Sequence, residues 1–594
     1  MAFRRRHWIR TCRLFKRLTH RYAASPPSSA TLVLLSTAGI VGLVAGLGGV
    51  LFRELTDRLA HFTFPIGQPT LALLGISAVL LIPTLGGMVI GLLLYRHAPG
   101  TIGLGLDEVV ESVALWGGRL RLLRMLKQAV AAAICMGTGG SVGREEPIAQ
   151  LGSALASAIG QRLYLPEDWL RYLVASGAAG GIAVALHAPI AAMCFALEVV
   201  LAEFTTAAVG SIVIASVSAC TIANLMGYQA PVIPVPAFAL ISSWELPLYV
   251  VLGGLAAIVS LAFVIIFCLV DIWFTSLEYP ADLKPMIGGL FIGILGFHFP
   301  QVLGMGYDTL TKVLQSQFPL YLMIILIAIK ILATSITLGS GGMGGVLAPS
   351  LLIGALLGGS FGSVVHHLWP TFTAAPSAYA LVGMAAVLAT VAGAPLTAVL
   401  FVFEFTGDTH ILMPLLLTTG ISFCFSQYAR GTPLYTVALW RHHVYWEPDN
   451  AQDRIPHLQV VQIMKTQVTA VPTTMELSEL ARTFDHLGLQ AVLVIGPHGA
   501  FHGLLSLSDF KRALICEATN GLTAGNIATT TVATVYPDEF LSVAVDRMAS
   551  GDLWCLPVVD RSRPPRLLGV VYREDLNRVC RPDGMRTGHN TQNG

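Results

Sequence analysis

The sequence predicts an all-α polytopic membrane domain of two related halves with broken helices, followed by a pair of small α/β modules. Three observations predict it. The chain of 594 residues is 54% hydrophobic and 12% charged, against roughly 25% charge in an average soluble protein, and its mean hydropathy is +0.69. The charge is segregated: 29 of the Asp, Glu, Lys and Arg residues fall in 447–594, so the long middle is nearly uncharged. Both the apolar part and the tail repeat themselves internally.

Residues 1–21 hold eight Arg and Lys and no acid. The apolar run after them, from Ala30 to Phe52, exceeds the ~7–15 residues of a signal-peptide core and suits a span of about 20 residues. The basic segment 1–29 is therefore assigned to the cytoplasm. Further apolar stretches are read at 70–95, 125–136, 146–162, 168–185, 188–204, 207–228, 245–275, 283–299, 318–338, 346–365, 376–391, 394–405 and 410–428. Several fall short of a full span, and Gly and Pro interrupt them. Short, broken, glycine-rich helices point to transporter folds with discontinuous spans.

The repeat supports that reading. Gly139, Gly140, Gly143, Pro147, Gly152 and Gly160 recur 202 residues later as Gly341, Gly342, Gly345, Pro349, Gly354 and Gly362. Gly177, Ala188, Pro189, Phe195 and Glu198 recur 206 residues later as Gly383, Ala394, Pro395, Phe401 and Glu404. The membrane domain is set at 30–440, with repeats of about 30–240 and 245–440, then a linker 441–458. In the tail, Pro472, Val494, Gly503 and Asp509 are matched with Pro537, Val559, Gly569 and Asp575. Modules are set at about 459–518 and 522–580, with a flexible tail 581–594. The first module reads as a helix from Met475 to Leu487, a strand Ala491–Ile495, a turn at Gly496–Gly499 and a strand Gly503–Ser506.

Several function classes drop out. A net charge of +2 argues against a nucleic-acid partner, which calls for a basic excess. The nine cysteines form no CxxC pair; Cys135, Cys194, Cys220, Cys268 and Cys424 sit in apolar runs and read as small buried hydrophobes. No HExxH, nucleophile-elbow or Walker A pattern occurs. No catalytic or metal residue is assigned, and neither enzymatic activity nor a required cofactor is expected. Lys330 and Asp271 are placed at span ends with snorkelling stems. His366-His367 and His442-His443 read as interfacial, since adjacent residues do not share a helix face.

The chemistry concentrates in Gly139-Gly140-Ser141-Val142-Gly143-Arg144-Glu145-Glu146-Pro147. Glycines let backbone approach a ligand closely, Pro147 suits a first helical turn, and free N–H groups at the positive end of a helix favour an anion. A carboxylate there competes with a diffusing anion, or serves as a structural cap.

Gly143-Arg144-Glu145-Glu146-Pro147 resembles the GxExP motif of the CLC family of chloride channels and proton-coupled chloride antiporters. Gly345-Val346-Leu347-Ala348-Pro349 is similar to its GxFxP motif, Gly103-Leu104-Gly105-Leu106-Asp107 stands at the place of GSGIP, and Pro433-Leu434-Tyr435 carries the pore tyrosine. The tail modules resemble a pair of CBS domains. The resemblance covers roughly 30–580 and implies a CLC-like domain of two inverted repeats, helix N-termini meeting mid-membrane, and a homodimer with one anion pathway per subunit. It implies an integral multi-pass protein of a bacterial-type cell membrane, with the N-terminus and CBS domains cytoplasmic. Its partners would be chloride or a similar anion, protons and the lipid bilayer.

Carried over by residue, Glu145 is the gating and proton-accepting glutamate, filling the anion site when ionised and leaving it when protonated. Glu146, where the pattern has glycine, is expected to matter much less. The amides near Val346 and Leu347 line the site, with Gly103, Leu104, Gly105, Gly143, Arg144 and Gly345 along the pathway and the Tyr435 hydroxyl at its inner end. Leu104 replaces the inner serine, which removes a donor to the anion. Val199 stands where coupled antiporters commonly carry an internal proton-transfer glutamate; valine is channel-like, although some exchangers also lack the acid. Glu198 and its repeat mate Glu404 read as structural. In the tail, Ser506 and Asp509 resemble the residues that hold a ribose, which leaves two readings open: one adenine-nucleotide site, or a purely structural pair that stiffens the dimer. The function read is a voltage-gated chloride channel-like anion pathway. The alternatives are a proton-coupled antiporter lacking the internal glutamate, or a carrier of nitrate or fluoride. A membrane enzyme and a CBS-linked cation transporter are the rivals from other classes.

Overall fold

The computed structural model describes residues 27–63, 69–95, 105–115, 117–228, 242–429 and 431–441, and in the tail 459–466, 468, 470–476, 479–480, 491–506, 523–530, 532–540, 543–544, 547–548, 555–562 and 565–572. Gly103, Leu104, Asp509, the basic segment through residue 26, the linker 442–458 with His442-His443, and the tail 581–594 lie outside the described residues; Ser506 is described in its backbone alone. The chain divides into two compact units, 1–439 and 440–594.

In the first unit, α1 (Pro27–Thr63), α2 (Pro69–Tyr95), α3 (Leu106–Leu115), α4 (Leu122–Gly137), α5 (Glu145–Arg162), α6 (Glu167–Leu186), α7 (Pro189–Phe195) and α8 (Thr206–Leu225) come in order. They are echoed by α9 (Leu246–Ser276), α10 (Lys284–His298), α11 (Tyr307–Leu314), α12 (Leu320–Gly339), α13 (Leu347–Leu368), α14 (Pro376–Ala392), α15 (Pro395–Thr406) and α16 (Leu412–Tyr428), with α17 (Leu434–Arg441) closing the unit. Among the described residues, seven helices are long and apolar enough to cross a membrane; shorter apolar helices such as Lys284–His298, Pro376–Ala392 and Pro395–Thr406 are pieces of the kind expected from the Gly and Pro interruptions.

The repeated glycines mark where the halves pack alike. A Cβ on Gly152 of α5 would lie 2.2 Å from the carbonyl oxygen of Gly177 on α6. A Cβ on its mate Gly354 of α13 would lie 2.4 Å from the oxygen of Gly383 on α14. Both crossings bring backbone against backbone, the close approach small residues permit between membrane helices. Hydropathy does not mark the short helices α3 and α11, because charged residues interrupt them: Asp107, Glu108 and Glu111 in α3, Asp308 and Lys312 in α11.

Lys330 corrects its expected place. It lies inside α12, fully buried, and its Nζ donates to the carbonyl oxygens of Val302 at 3.1 Å and Gly304 at 3.0 Å. Its stem does not reach an interface, because the loop before α11 folds over the helix and leaves those carbonyls in need of donors. Asp271 lies near the end of α9, as expected.

The second unit holds β1 (Ala470–Pro472), β2 (Ala491–Ile495) and β3 (Phe501–Ser506) in one sheet, and β4 (Cys555–Val559) with β5 (Leu567–Tyr572) in another. β1 and β2 are parallel, while β2–β3 and β4–β5 are antiparallel. Register places Val494 opposite Gly503 and Val558 opposite Gly569, with a register shift just after each valine. The structural mate of Val494 is therefore Val558 rather than Val559, because the second hairpin loop is longer and displaces the sequence match. That loop is tied by Asp560, whose Oδ1 accepts from the Ser562 hydroxyl and the Arg566 amide, both at 2.6 Å. The Ser562 hydroxyl and the Arg566 amide hold the Asp560 carboxyl below its ordinary range; what it adds to the hairpin is lost as pH falls through that lowered value. The helix expected from Met475 starts later, since Glu476 forms a β-bridge with Thr523.

Candidate functional site

The site forms where the halves meet. Gly139 and Gly341 turn the chain after α4 and α12 with φ of 96° and 95°, a left-handed conformation that favours glycine. Gly143 then donates to the oxygen of Gly345, and Gly345 to that of Gly143, both at 2.8 Å. A contact in which each residue gives its mate what it receives is the signature of a two-fold relation, and here it relates the repeats head to head. α5 and α13 start just beyond, at Glu145 and Leu347, so two helix N-termini with unpaired N–H groups converge on one point.

Two fully buried carboxylates occupy this point. Glu146 Oε1 accepts from the Val346 amide at 2.7 Å and the Tyr435 hydroxyl at 2.6 Å, and the Leu347 amide is also oriented toward this carboxylate. Glu145 Oε1 accepts from the Tyr307 hydroxyl at the start of α11. The Oε2 atoms of both glutamates are buried without a hydrogen-bond partner. Consecutive helical residues point about 100° apart, which sends the two side chains to different partners and separates like charges. Glycines make the room: a Cβ on Gly143 would lie 2.2 Å from Glu145 Oε2, and one on Gly345 would crowd Glu146 at 3.1 Å.

This differs from the expected arrangement, in which Glu145 sits among the amides. Glu146 takes the seat beside Val346 and Tyr435, because its direction from the helix start faces the α13 N-terminus. Sequence reasoning missed Tyr307. No motif marked it, and its only signal was a tyrosine after Gly306 at the start of a short helix.

Beyond Tyr307 lies a charged cluster that sequence reading also missed. Arg144, which is 3% exposed, sits 3.4 Å from Asp57 and 5.4 Å from the centre of the Tyr307 ring. Arg53 lies 3.8 Å from Asp57 and 5.0 Å from the Tyr228 ring. Asp57 thus pairs with both guanidinium groups, and Glu54 accepts from the Tyr228 hydroxyl at 2.8 Å on the same side of the cluster. On the other side, Tyr435 packs edge-on against Phe195 at 6.1 Å, and Leu347 shares an apolar pocket with Phe195, Leu351 and Phe401. Gly105 is buried with φ of 84°, and a Cβ there would come within 2.9 Å of Gln150.

Glu198 and Glu404 are exchanged between the halves. Glu404 of α15 accepts from the amides of Ile190 and Ala191 at the start of α7 at 3.0–3.1 Å. Glu198, in the π-helical turn Ala196–Leu201 that continues α7, accepts from the amides of Leu396 and Thr397 at 2.9 and 2.8 Å and from the Thr397 hydroxyl at 2.5 Å. Each glutamate caps the other half's helix. Val199 is half-buried in the same turn. Hydrogen bonds to charged groups are worth about 1.5–3 kcal/mol. Glu198→Ala or Glu404→Ala should therefore lower the thermal midpoint of the detergent-solubilised protein, and an unchanged midpoint would show that the caps carry no stability. Among the described residues no His, Cys, Asp or Glu group has metal-ligand grouping; His366 contacts Thr373 instead.

Residues 86–427 match the family model described as voltage gated chloride channel, and residues 460–516 and 524–581 each match the CBS domain model. The chain is 34% identical to a ClcB-like protein of Ralstonia nicotianae over 69% of this chain and 97% of that protein. It is 30% identical to the chloride channel protein CLC-f of Arabidopsis thaliana over 84% of this chain and 73% of that protein. It is 28% identical to the H(+)/Cl(-) exchange transporter ClcA of Vibrio campbellii over 70% and 91%. Among solved structures it resembles a slow cyanobacterial Cl−/H+ antiporter, with a TM-score of 0.63 and 27% identity over 69% of this chain and 97% of that one. The fold of a eukaryotic CLC transporter matches with a TM-score of 0.74 at 19% identity, covering 92% of this chain and 98% of that one.

Proposed function

Because the chain belongs to the voltage gated chloride channel family, and is thus an integral multi-pass membrane protein, we propose that it carries chloride or a similar small anion along a pathway gated by protonatable glutamate. The observation that carries this reading is the pair of converging helix N-termini whose amide and tyrosine donors are held by a buried carboxylate. Such a seat attracts an anion without a buried cation. Glu145, docked on Tyr307, is the gate on the external side. Tyr435 marks the cytoplasmic side, to which the basic N-terminus and the CBS pair belong. The protein works as a homodimer, with an adenine nucleotide at the first CBS module through Ser506 and Asp509. The missing hydroxyl at Leu104 favours weaker chloride retention than a serine there.

Channel-like conduction is the first reading, because Val199 cannot carry a proton on the internal route. Proton-coupled exchange is the second, favoured by relatives that are named as exchangers. Purified protein in liposomes should release chloride rather than potassium, and its reversal potential in a chloride gradient should shift little when a pH gradient is added. Stoichiometric uphill proton movement driven by chloride would reverse the order of the two readings; no chloride release would remove both.

A further inference from the structure

We propose that Glu146 is a second transport carboxylate of this chain: it occupies the anion seat itself, and an anion enters only as Glu146 takes up a proton and withdraws. The proposal rests on the anion-pathway reading above and adds to it a residue that the gating pattern leaves out.

The geometry of the seat carries the argument. Its two donors, the Val346 amide and the Tyr435 hydroxyl, lie in residues that are 0% and 4% exposed, so water does not supply them with another acceptor. Both are taken by one atom, Glu146 Oε1, at 2.7 and 2.6 Å. A chloride coordinated there needs the same two donors, and two negative charges in contact in a buried site repel strongly. Carboxylate and anion therefore exclude each other. The charged and titratable groups around Glu146 are Glu145 on its own helix, Tyr435 on α17 and Asp107 of α3 beyond Tyr435. Every acid among them adds negative charge, which strengthens the exclusion.

The exchange balances simply. A proton from water binds Oε2, the oxygen without a partner, and the carboxylate becomes a neutral acid. Oε1 gives up its two bonds, and chloride accepts them from Val346 and Tyr435. Loss of the proton restores the carboxylate and expels the anion. The side chain has a track to move on, since its stem runs over the bare backbone of Gly345, where a Cβ would stand 3.1 Å from its Cβ, Cγ and Cδ. Glu145 is held apart on Tyr307, so two carboxylates guard successive positions.

The test is chloride-linked proton uptake by the full-length purified protein, followed with an indicator dye in weak buffer, with gluconate as the control salt. The wild type should take up at least about one proton per chloride bound below saturation of the linkage. Glu145→Gln removes any share of the external gate, so the uptake it keeps is that of Glu146. Adding Glu146→Gln or Glu146→Ala to Glu145→Gln should abolish that uptake and tighten chloride binding at least about tenfold at neutral pH. If uptake disappears in Glu145→Gln, or persists in either double variant, Glu146 is not the occupant and the proposal is overturned. The Glu145→Gln arm decides the question even where a Glu146 variant does not fold. Absence of chloride efflux from wild-type liposomes would overturn the transport reading itself, whereas efflux with no chloride-linked proton uptake would overturn only the role of Glu146.

Discussion

Glu145→Gln should raise chloride flux into liposomes and leave only the response to external pH that Glu146 carries. In the wild type the Glu145 carboxylate is fully buried, bound to the Tyr307 hydroxyl and seated over Gly143. Protonation removes the charge that opposes an entering anion. A single titrating group changes its charged fraction by up to about tenfold per pH unit, so wild-type flux should climb by up to that factor as external pH falls. Glutamine has the shape of the protonated acid and no charge to lose, so the variant should be faster and its pH response shallower, reduced to the share set by Glu146. Glu145→Ala, which removes the plug and its contact with Tyr307, should behave alike. Flux measured at several external pH values checks both. A pH response as steep as the wild type's in the two variants would place the external gate elsewhere.

Tyr435→Phe should weaken chloride binding, by an amount that depends on residue 146. The hydroxyl donates to whichever negative group occupies the seat, and such a bond is worth about 1.5–3 kcal/mol. In the wild type, Glu146 and chloride lose the same donor, so the two losses largely offset. In the Glu146→Gln background the competing charge is gone, and Tyr435→Phe should cost chloride the whole bond, about 10- to 150-fold in affinity. Calorimetric titration of the single and double variants measures the difference. Equal losses in both backgrounds would mean that Glu146 and chloride do not share Tyr435.

Much of this fold is legible in the sequence alone. The glycine and proline spacings of 202 and 206 residues report packing that the two halves share: Gly152 against Gly177 and Gly354 against Gly383 are the same helix crossing made twice. Glycines tolerate neither insertion nor replacement where backbones touch, so the repeat survives in them when other residues drift. The motif around Glu145 falls where the two helix starts meet, one residue from the carboxylate bound to Val346 and Tyr435. What it did not contain was direction. Which of two adjacent carboxylates faces Val346 depends on the rotation of α5 relative to α13, a property of tertiary packing. Tyr307 and Arg53 were invisible for a related reason. Each comes from a different stretch of chain, and only the fold brings both to Arg144. Lys330 was misread because sequence shows the helix around it but not the loop carbonyls it serves.

The clasps made by Glu198 and Glu404 have a consequence for how the chain is made. A ribosome delivers α7 long before α15, so the amides of Ile190 and Ala191 wait through some two hundred residues of synthesis for the carboxylate that caps them. Glu198 waits equally for Leu396 and Thr397. The first half is thus born with its joint open, and closure is a late event that demands both halves at once. Neither cap can form until the second partner has been synthesised, so the joint between the halves is the last of these contacts that translation permits.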